Sequence, residues 1–246
     1  MEQEELNPGP DSPSNKTKEP TPEIPNMTIE EIITSREPIK TERLKTEFNE
    51  VFLIDLKDGG RVIFKPYDGE DTELKEYVQY KRERAAYIFD KIFSWGLVPP
   101  TVIRDIDGRV GSAQLFVEDA HLQADVPPEE LGDNFHKDKS KLNAFDFLIG
   151  NDDRNPRNYL IKEGRIVAID NGLTFQALTE NEYAEYEKFI LENDNFLKNL
   201  LANKMGIEIF LGQLAELIPQ TEIDRFKKRL AMVAGTLNVN FTEKNF

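Results

Sequence analysis

The chain has 246 residues, of which 39% are hydrophobic and 31% charged, with a formal net charge of -15. That length allows a substantial buried core, and the acidity argues against phosphate-driven nucleic-acid binding, which needs a basic face. The absence of cysteine excludes disulfides, thiol catalysis and cysteine-ligated zinc, and two histidines are too few for a multi-histidine metal site. Neither a bilayer-spanning apolar run nor a secretory signal pattern is present, so we expect a cytoplasmic monomer without integral membrane association.

The first forty residues hold seven of the fourteen prolines and no aromatic residue. Such a stretch cannot bury enough apolar surface to offset its ordering entropy. We therefore predict an acidic, proline-rich, disordered tail over residues 1–40. Within it, Thr28-Ile29-Glu30-Glu31 has the capping-box pattern and indicates a short helix from Thr28 to Ser35.

From Phe48 onward, apolar residues recur at every second position, as in a β-strand. Strands around Val51–Leu53 and Val62–Lys65 flank a turn at Asp58-Gly59-Gly60, which indicates a hairpin. Apolar residues then recur at helical spacing from Leu74 to Gly96. Two further strands are predicted, over residues 98–103 and 112–117. These elements define a small β-rich N-terminal lobe with one helix, residues 41–118.

The remaining residues, 119–246, are predicted to form a mostly helical C-terminal lobe. Residues 119–138 read as loop, because Pro127-Pro128 forbids a continuous helix. A helix over residues 139–149 leads into the polar run 151–158, which a second hairpin over residues 159–169 follows. Beyond residue 179, apolar residues recur at helical spacing, which predicts further helices. The sequence therefore predicts an α+β fold with two lobes.

Acids and amides concentrate around the second hairpin. Asn151-Asp152-Asp153-Arg154-Asn155-Pro156-Arg157-Asn158 precedes it, and Ile169-Asp170-Asn171-Gly172 ends it. The hairpin folds the chain back, so that Asp170 can return to the cleft that holds Asn158. Carboxylates in such a place need hydrogen bonds or a metal ion, and a set of oxygen ligands favours Mg²⁺ or Mn²⁺ over zinc.

The spacing Asp-Arg-x-x-x-Asn, followed by a hairpin and Asp-Asn-Gly, resembles the catalytic and metal-binding loops of the protein-kinase-like superfamily. The similarity is strongest to its atypical branches: phosphatidylinositol 3-/4-kinase-related bacterial proteins of the type II 4-kinase-like and HipA-like kinds, and the secretory-pathway casein kinases. Phe64-Lys65-Pro66 resembles the nucleotide-binding lysine strand, and Lys81–Tyr87 resembles the helix whose glutamate holds that lysine. The resemblance covers residues 48–175 and implies a two-lobed protein-kinase-like fold.

The resemblance also implies roles for the polar residues. Lys65 would contact the α- and β-phosphates of ATP, and Glu83 would fix Lys65. Asp153 would orient the acceptor hydroxyl and take its proton, while Asn158 and Asp170 would hold Mg²⁺, or alternatively Mn²⁺. Arg154 would organise the loop.

The adenine would meet the hinge, which we define as Gln114, Leu115, Phe116 and Val117. Asn49 is assigned to nucleotide binding from the turn that covers the phosphates. That turn, residues 45–50, contains no glycine, whereas protein kinases have a glycine-rich loop there. Glu47 and Glu50 would disfavour a triphosphate unless they point away from it.

The sequence thus predicts a Mg²⁺-dependent kinase that transfers the γ-phosphate of ATP to a hydroxyl group. A protein Ser/Thr or small-molecule acceptor is favoured over a lipid, because a net charge of -15 opposes approach to an anionic membrane. A phosphatidylinositol kinase, a nucleotide-binding pseudokinase scaffold and an AMP-transferase remain alternatives.

Overall fold

The structure is a computed structural model that describes residues 27–46, 48–57, 59–74, 77–177 and 180–241, without the side chains of 180–185. The predicted tail up to residue 26 lies outside the described residues. The helices and strands are α1 (Ile29–Ser35), β1 (Pro38–Leu44), β2 (Val51–Leu56), β3 (Arg61–Pro66), α2 (Gln79–Phe93), β4 (Thr101–Ile106), β5 (Arg109–Leu115), β6 (His121–Leu122), α3 (Asp133–Ile149), β7 (Tyr159–Lys162), β8 (Arg165–Ala168), α4 (Glu180–Glu192), α5 (Asp194–Ala202), α6 (Lys204–Leu214) and α7 (Gln220–Thr236).

The N-terminal lobe is an antiparallel five-stranded sheet in the order β1-β2-β3-β5-β4. In β3, Val62 and Phe64 are buried in the core of this sheet, and alternation turns Lys65 to the opposite face. Lys65 lies opposite Ser112 of β5 in the register. The period-two pattern therefore fixes which face of the sheet carries the lysine.

The helix predicted from the capping box is confirmed. Thr28 accepts from the backbone of Glu31, whose side chain reaches back to the N–H of Thr28. Ile33 is fully buried in the N-terminal core, and β1 begins at Pro38. The prediction of a disordered segment reaching residue 40 is therefore wrong for residues 29–40, because one buried isoleucine and strand pairing anchor a stretch whose composition is polar.

Glu30 ties α1 to α2, since it accepts hydrogen bonds from Tyr87 (2.6 Å) and Lys91. Burial alone would raise its pKa, but these hydrogen bonds hold the pKa of Glu30 at about 2. A folded-state pKa below the unfolded value gives stability that is present above about pH 4.3 and is lost as the pH falls toward 2.

We expect Glu30→Gln to flatten the fall in unfolding free energy between pH 5 and pH 2, as urea titrations at each pH would measure. An unchanged pH profile would contradict this role.

Helix α2 packs against the helical lobe through an aromatic cluster. The ring of Phe89 lies 5.2 Å from that of Phe210 in α6, 5.8 Å from that of Phe226 in α7 and 5.7 Å from that of Phe145 in α3. The helix begins at Gln79 rather than at Leu74, where the apolar pattern starts. Trp95, which follows the helix, is 1% exposed and belongs to the same core.

The C-terminal lobe combines helices α3–α7 with a small antiparallel sheet, β6-β7-β8. The predicted second hairpin is confirmed as β7 and β8. Residues 119–138 are only partly loop, because α3 already begins at Asp133; its first turns are polar and carry little apolar periodicity. Within the described part of the chain, no helix has the length and apolar character to cross a membrane.

Candidate active site

Three predicted residues meet where β3, α2 and the end of the second hairpin come together. Lys65 Nζ lies 2.5 Å from Glu83 Oε1 and 2.9 Å from Asp170 Oδ1. The other oxygen of Glu83 accepts the backbone N–H of Asn171 at 3.0 Å. Glu83 therefore binds both Lys65 and the backbone N–H of Asn171. This single carboxylate joins the two lobes.

The charges of this cluster reinforce one another. Burial would lower the pKa of Lys65, but Asp170 and Glu83 raise it well above its usual range. The Lys65 ammonium, in turn, holds the pKa of Asp170 below its usual value. At neutral pH Lys65 is therefore an ammonium, and the Asp170 side chain, 48% exposed, stays charged and accessible to a cation.

Arg154 organises the polar loop, as predicted. Its guanidinium forms a buried ion pair with Asp146 of α3, with side-chain exposures of 6% and 2%. It also donates to the carbonyl oxygens of Asn158 (2.5 Å) and Ile169 (2.7 Å) and to Asn171 Oδ1 (2.6 Å). Burial raises the pKa of Asp146, against the opposing effect of Arg154. One cation thus fixes both ends of the hairpin that connects Asn158 to Asp170.

Asp153 is exposed, and Asn158 holds it from the other side of the loop. Asn158 Nδ2 donates to the backbone oxygen of Asp153 (2.6 Å) and to Asp153 Oδ2 (3.0 Å). Asn155 Nδ2 donates to Asp153 Oδ1 at 3.2 Å. These amide contacts orient the Asp153 carboxylate, and they fix the Asn158 amide so that Oδ1 is directed away from Asp153.

A cavity of about 340 Å³ lies between the lobes beside Lys65 and Asp170. The hinge residues Gln114–Val117 line it, and their contact with an adenine ring stays a prediction. The side-chain amide of Gln114 is already bonded to Thr101 Oγ1 at 2.9 Å, so the hinge presents its backbone and apolar side chains. Apolar walls come from the sheet and from the C-terminal lobe. These wall residues, absent from the predicted site, are Leu44, Val51, Ile63, Leu122, Leu160 and Ile169.

Asn49 does not line this cavity. Its Oδ1 accepts the N–H of Asp71 at 2.7 Å, and its Nδ2 donates to Gln79 Oε1 at 2.9 Å. A contact between Asn49 and a nucleotide stays a prediction. The side chain braces the glycine-free turn against the start of α2, and Thr46 of the same turn lines the cavity.

Glu50 does not present a bare charge to the cavity. Its carboxylate pairs with Arg43 (2.8 Å) and Arg109 (2.7 Å). The electrostatic objection to a phosphate group therefore does not apply to Glu50. Glu47 lies outside the described residues.

The oxygen atoms present fit a divalent cation that arrives with phosphates. Among the described residues, no three acidic or histidine side chains are grouped as a complete metal site. Asp170 offers an accessible carboxylate and Asn158 an oriented amide oxygen. Mg²⁺ and Mn²⁺ commonly take one or two protein oxygens and complete their shell with water and substrate phosphates, so this pair suits such an ion.

Solved structures with a similar fold include the Golgi casein kinase. The crystal structure of the Golgi casein kinase matches with a TM-score of 0.56 at 13% identity, covering 83% of this chain and 72% of that one. The Golgi casein kinase with Mn/ADP bound matches at 0.56 and 14% identity, covering 83% and 73%. The structure of hydra Fam20 with sugar matches at 0.58 and 15% identity, covering 84% and 86%. The chain has a protein-kinase-like fold.

The predicted two-lobed α+β fold is thereby confirmed. By sequence, the chain is 28% identical over 169 residues to Protein Rv2133c of Mycobacterium tuberculosis (strain ATCC 25618 / H37Rv), a match to 53% of this chain and 61% of that protein. The chain thus spans about three-fifths of that relative's length. No protein-family profile matches the chain.

Proposed function

We propose that the chain is a phosphotransferase that moves the γ-phosphate of ATP to a hydroxyl acceptor with the help of Mg²⁺ or Mn²⁺. The contact of Lys65 with both Glu83 and Asp170, at the mouth of an interlobe cavity, carries this proposal. Phosphoryl transfer is mainly positioning and charge stabilisation, so it needs a fixed cation, metal-binding oxygens and an oriented carboxylate.

Each residue then has one task. Lys65, fixed by Glu83, binds the α- and β-phosphates, and Asp170 and Asn158 hold the metal ion. A bound ion neutralises charge on the phosphate oxygens. Asp153 is exposed at the loop surface and held by two amides, so it orients the acceptor hydroxyl and accepts its proton.

The hinge suits the edge of an adenine ring. Leu115 donates its N–H to Pro100 O at 2.8 Å, but Pro100 has no N–H to return to the carbonyl oxygen of Leu115. That carbonyl is therefore available to accept from an exocyclic amine. Phe116 donates its N–H to Arg61 O at 2.8 Å, which fixes the hinge to β3.

A protein Ser/Thr or small-molecule hydroxyl is the proposed acceptor. The resemblance to phosphatidylinositol 3-/4-kinase-related proteins keeps a lipid as the alternative, and the net charge of -15 disfavours it. A pseudokinase scaffold would bind nucleotide without transfer, and an AMP-transferase would leave a heavier adduct on its acceptor. A cytoplasmic location and a monomeric state remain predictions.

The full chain should therefore be incubated with ATP labelled at the γ-phosphate or at the α-phosphate, with Mg²⁺ or Mn²⁺, and with protein, small-molecule and phosphoinositide-vesicle acceptors. We expect label transfer from the γ position only, and a thermal shift with ATP and metal. Transfer from the α position would indicate AMP transfer, and binding without transfer would indicate a scaffold. Absence of both binding and transfer would refute the proposed function.

A further inference from the structure

Arg82, the residue before Glu83 in α2, is 1% exposed and lies between α2, α7 and the loop that follows Asp170. Its guanidinium donates to Glu222 Oε1 of α7 at 2.6 Å and to the backbone oxygens of Thr174 and Tyr77. One side chain therefore connects α2 to a helix 140 residues later and to the segment after Asp170-Asn171-Gly172.

Adjacent residues of α2 thus hold that segment at two points. Glu83 accepts the N–H of Asn171, and Arg82 donates to the carbonyl of Thr174. The next residues are fixed to the end of α3, since Phe175 donates to Ile149 O (2.5 Å) and Gln176 to Gly150 O (3.0 Å). The backbone of the segment is therefore held on both sides.

The packing of α2 against the helical lobe also opposes movement of this helix. Phe89 lies among Phe145, Phe210 and Phe226, so one face of α2 belongs to the core of the helical lobe. An outward rotation of α2 would expose this ring and break the Arg82–Glu222 pair together. Both costs oppose separation of Glu83 from Lys65.

We propose that Arg82 and Glu222 are positioning residues for phosphoryl transfer, whose ion pair clamps α2 to α7 and keeps Glu83 on Lys65. This inference rests on the proposed function. It implies that the Lys65–Glu83–Asp170 cluster is assembled in the isolated chain, without phosphorylation or a partner protein to bring α2 inward.

Arg82→Met tests the clamp. The change leaves Glu222 buried without its cation and Thr174 O without its donor, so we expect α2 to shift and kcat to fall roughly 10²-fold, because small displacements of reacting groups have effects of that size. KM for ATP should rise as well, since Lys65 loses its fixed partner. Arg82→Lys should not rescue kcat, because an ammonium cannot reproduce the geometry of the three guanidinium contacts.

A double variant separates positioning from stability. Arg82→Met with Glu222→Met removes both charges, and replacing a whole buried pair by apolar groups often restores stability. We expect the melting temperature to recover relative to Arg82→Met while kcat stays low. Recovery of kcat together with stability would overturn the proposal. The matched control is Arg104→Met, which removes a half-buried arginine that donates to the carbonyls of Ile33 and Arg36; its kcat should match the wild type below its melting temperature.

A second measurement does not depend on activity. An ammonium held between two carboxylates reacts slowly with amine-acylating reagents, so labelling of Lys65, followed by mass spectrometry, should accelerate severalfold in Arg82→Met, with Lys198 of α5 as internal reference. Unchanged Lys65 labelling would refute the clamp even if the wild type transfers phosphate. Faster labelling in a chain that neither binds nor uses ATP would support the clamp and refute the proposed function.

Discussion

Asp170→Asn is expected to lower the rate of phosphoryl transfer by roughly 10³-fold, the scale seen when one group that stabilises the transition state is removed. The amide has the shape of the carboxylate but no charge, so it attracts a divalent cation weakly and no longer pairs with Lys65. The backbone should tolerate the change, because Asp170 has φ 55° and asparagine adopts this left-handed region readily. Rates at saturating ATP over a range of Mg²⁺ and Mn²⁺ concentrations would measure the effect.

The matched control for Asp170→Asn is Asp107→Asn. Asp107 is also an exposed aspartate in the left-handed region, at φ 54°, but it lies in the turn between β4 and β5. Its variant should transfer phosphate at the wild-type rate. If Asp170→Asn retained a tenth or more of that rate while its folding was intact, Asp170 would not be a metal ligand.

The parts of the site that local pattern encodes could be predicted from the sequence. Lys65 lies near the end of a strand of clear period-two alternation. The hairpin of β7 and β8 folds the chain back, so that Arg154 bonds to the backbone at both of its ends, at Asn158 and Ile169, which are close together in sequence. The role of Glu83 could be predicted only with the resemblance of Lys81–Tyr87 to the kinase helix whose glutamate holds the lysine. Its direct contact with Lys65 agrees with that resemblance.

The parts that depend on distant packing could not be predicted. Arg82 and Glu222 lie 140 residues apart, and neither has a local pattern that points to the other. Strand β1 is an exposed edge strand whose burial pattern lacks alternation, so period two gives no signal there. Asn49 lies in the expected turn, but its side-chain amide is bonded to the backbone N–H of Asp71 and to the side chain of Gln79. Neither contact could be predicted from the sequence.

Removing Arg154 should produce the largest loss of stability at the site. Arg154→Met leaves the buried carboxylate of Asp146 without its ion-pair partner, and breaking such a pair costs about 3–5 kcal/mol. Burial then favours the protonated acid, and a folded-state pKa above the unfolded value gives stability that is lost as the pH rises. The deficit measured by urea unfolding should therefore be larger at pH 8 than at pH 5. An equal deficit at both pH values would contradict a raised pKa of Asp146 in the variant.

A second substitution shows what Arg154 does beyond pairing with Asp146. Adding Asp146→Leu to Arg154→Met removes the unpaired carboxylate and should recover part of the stability, but Asn158 O, Ile169 O and Asn171 Oδ1 still lack their common donor. These three acceptors hold the ends of the hairpin together. We therefore expect the double variant to remain slow in phosphoryl transfer even where it is folded, because Asn158 and Asp170 are no longer held at a fixed separation. Wild-type rates in the folded double variant would show that the β7–β8 pairing alone sets that separation.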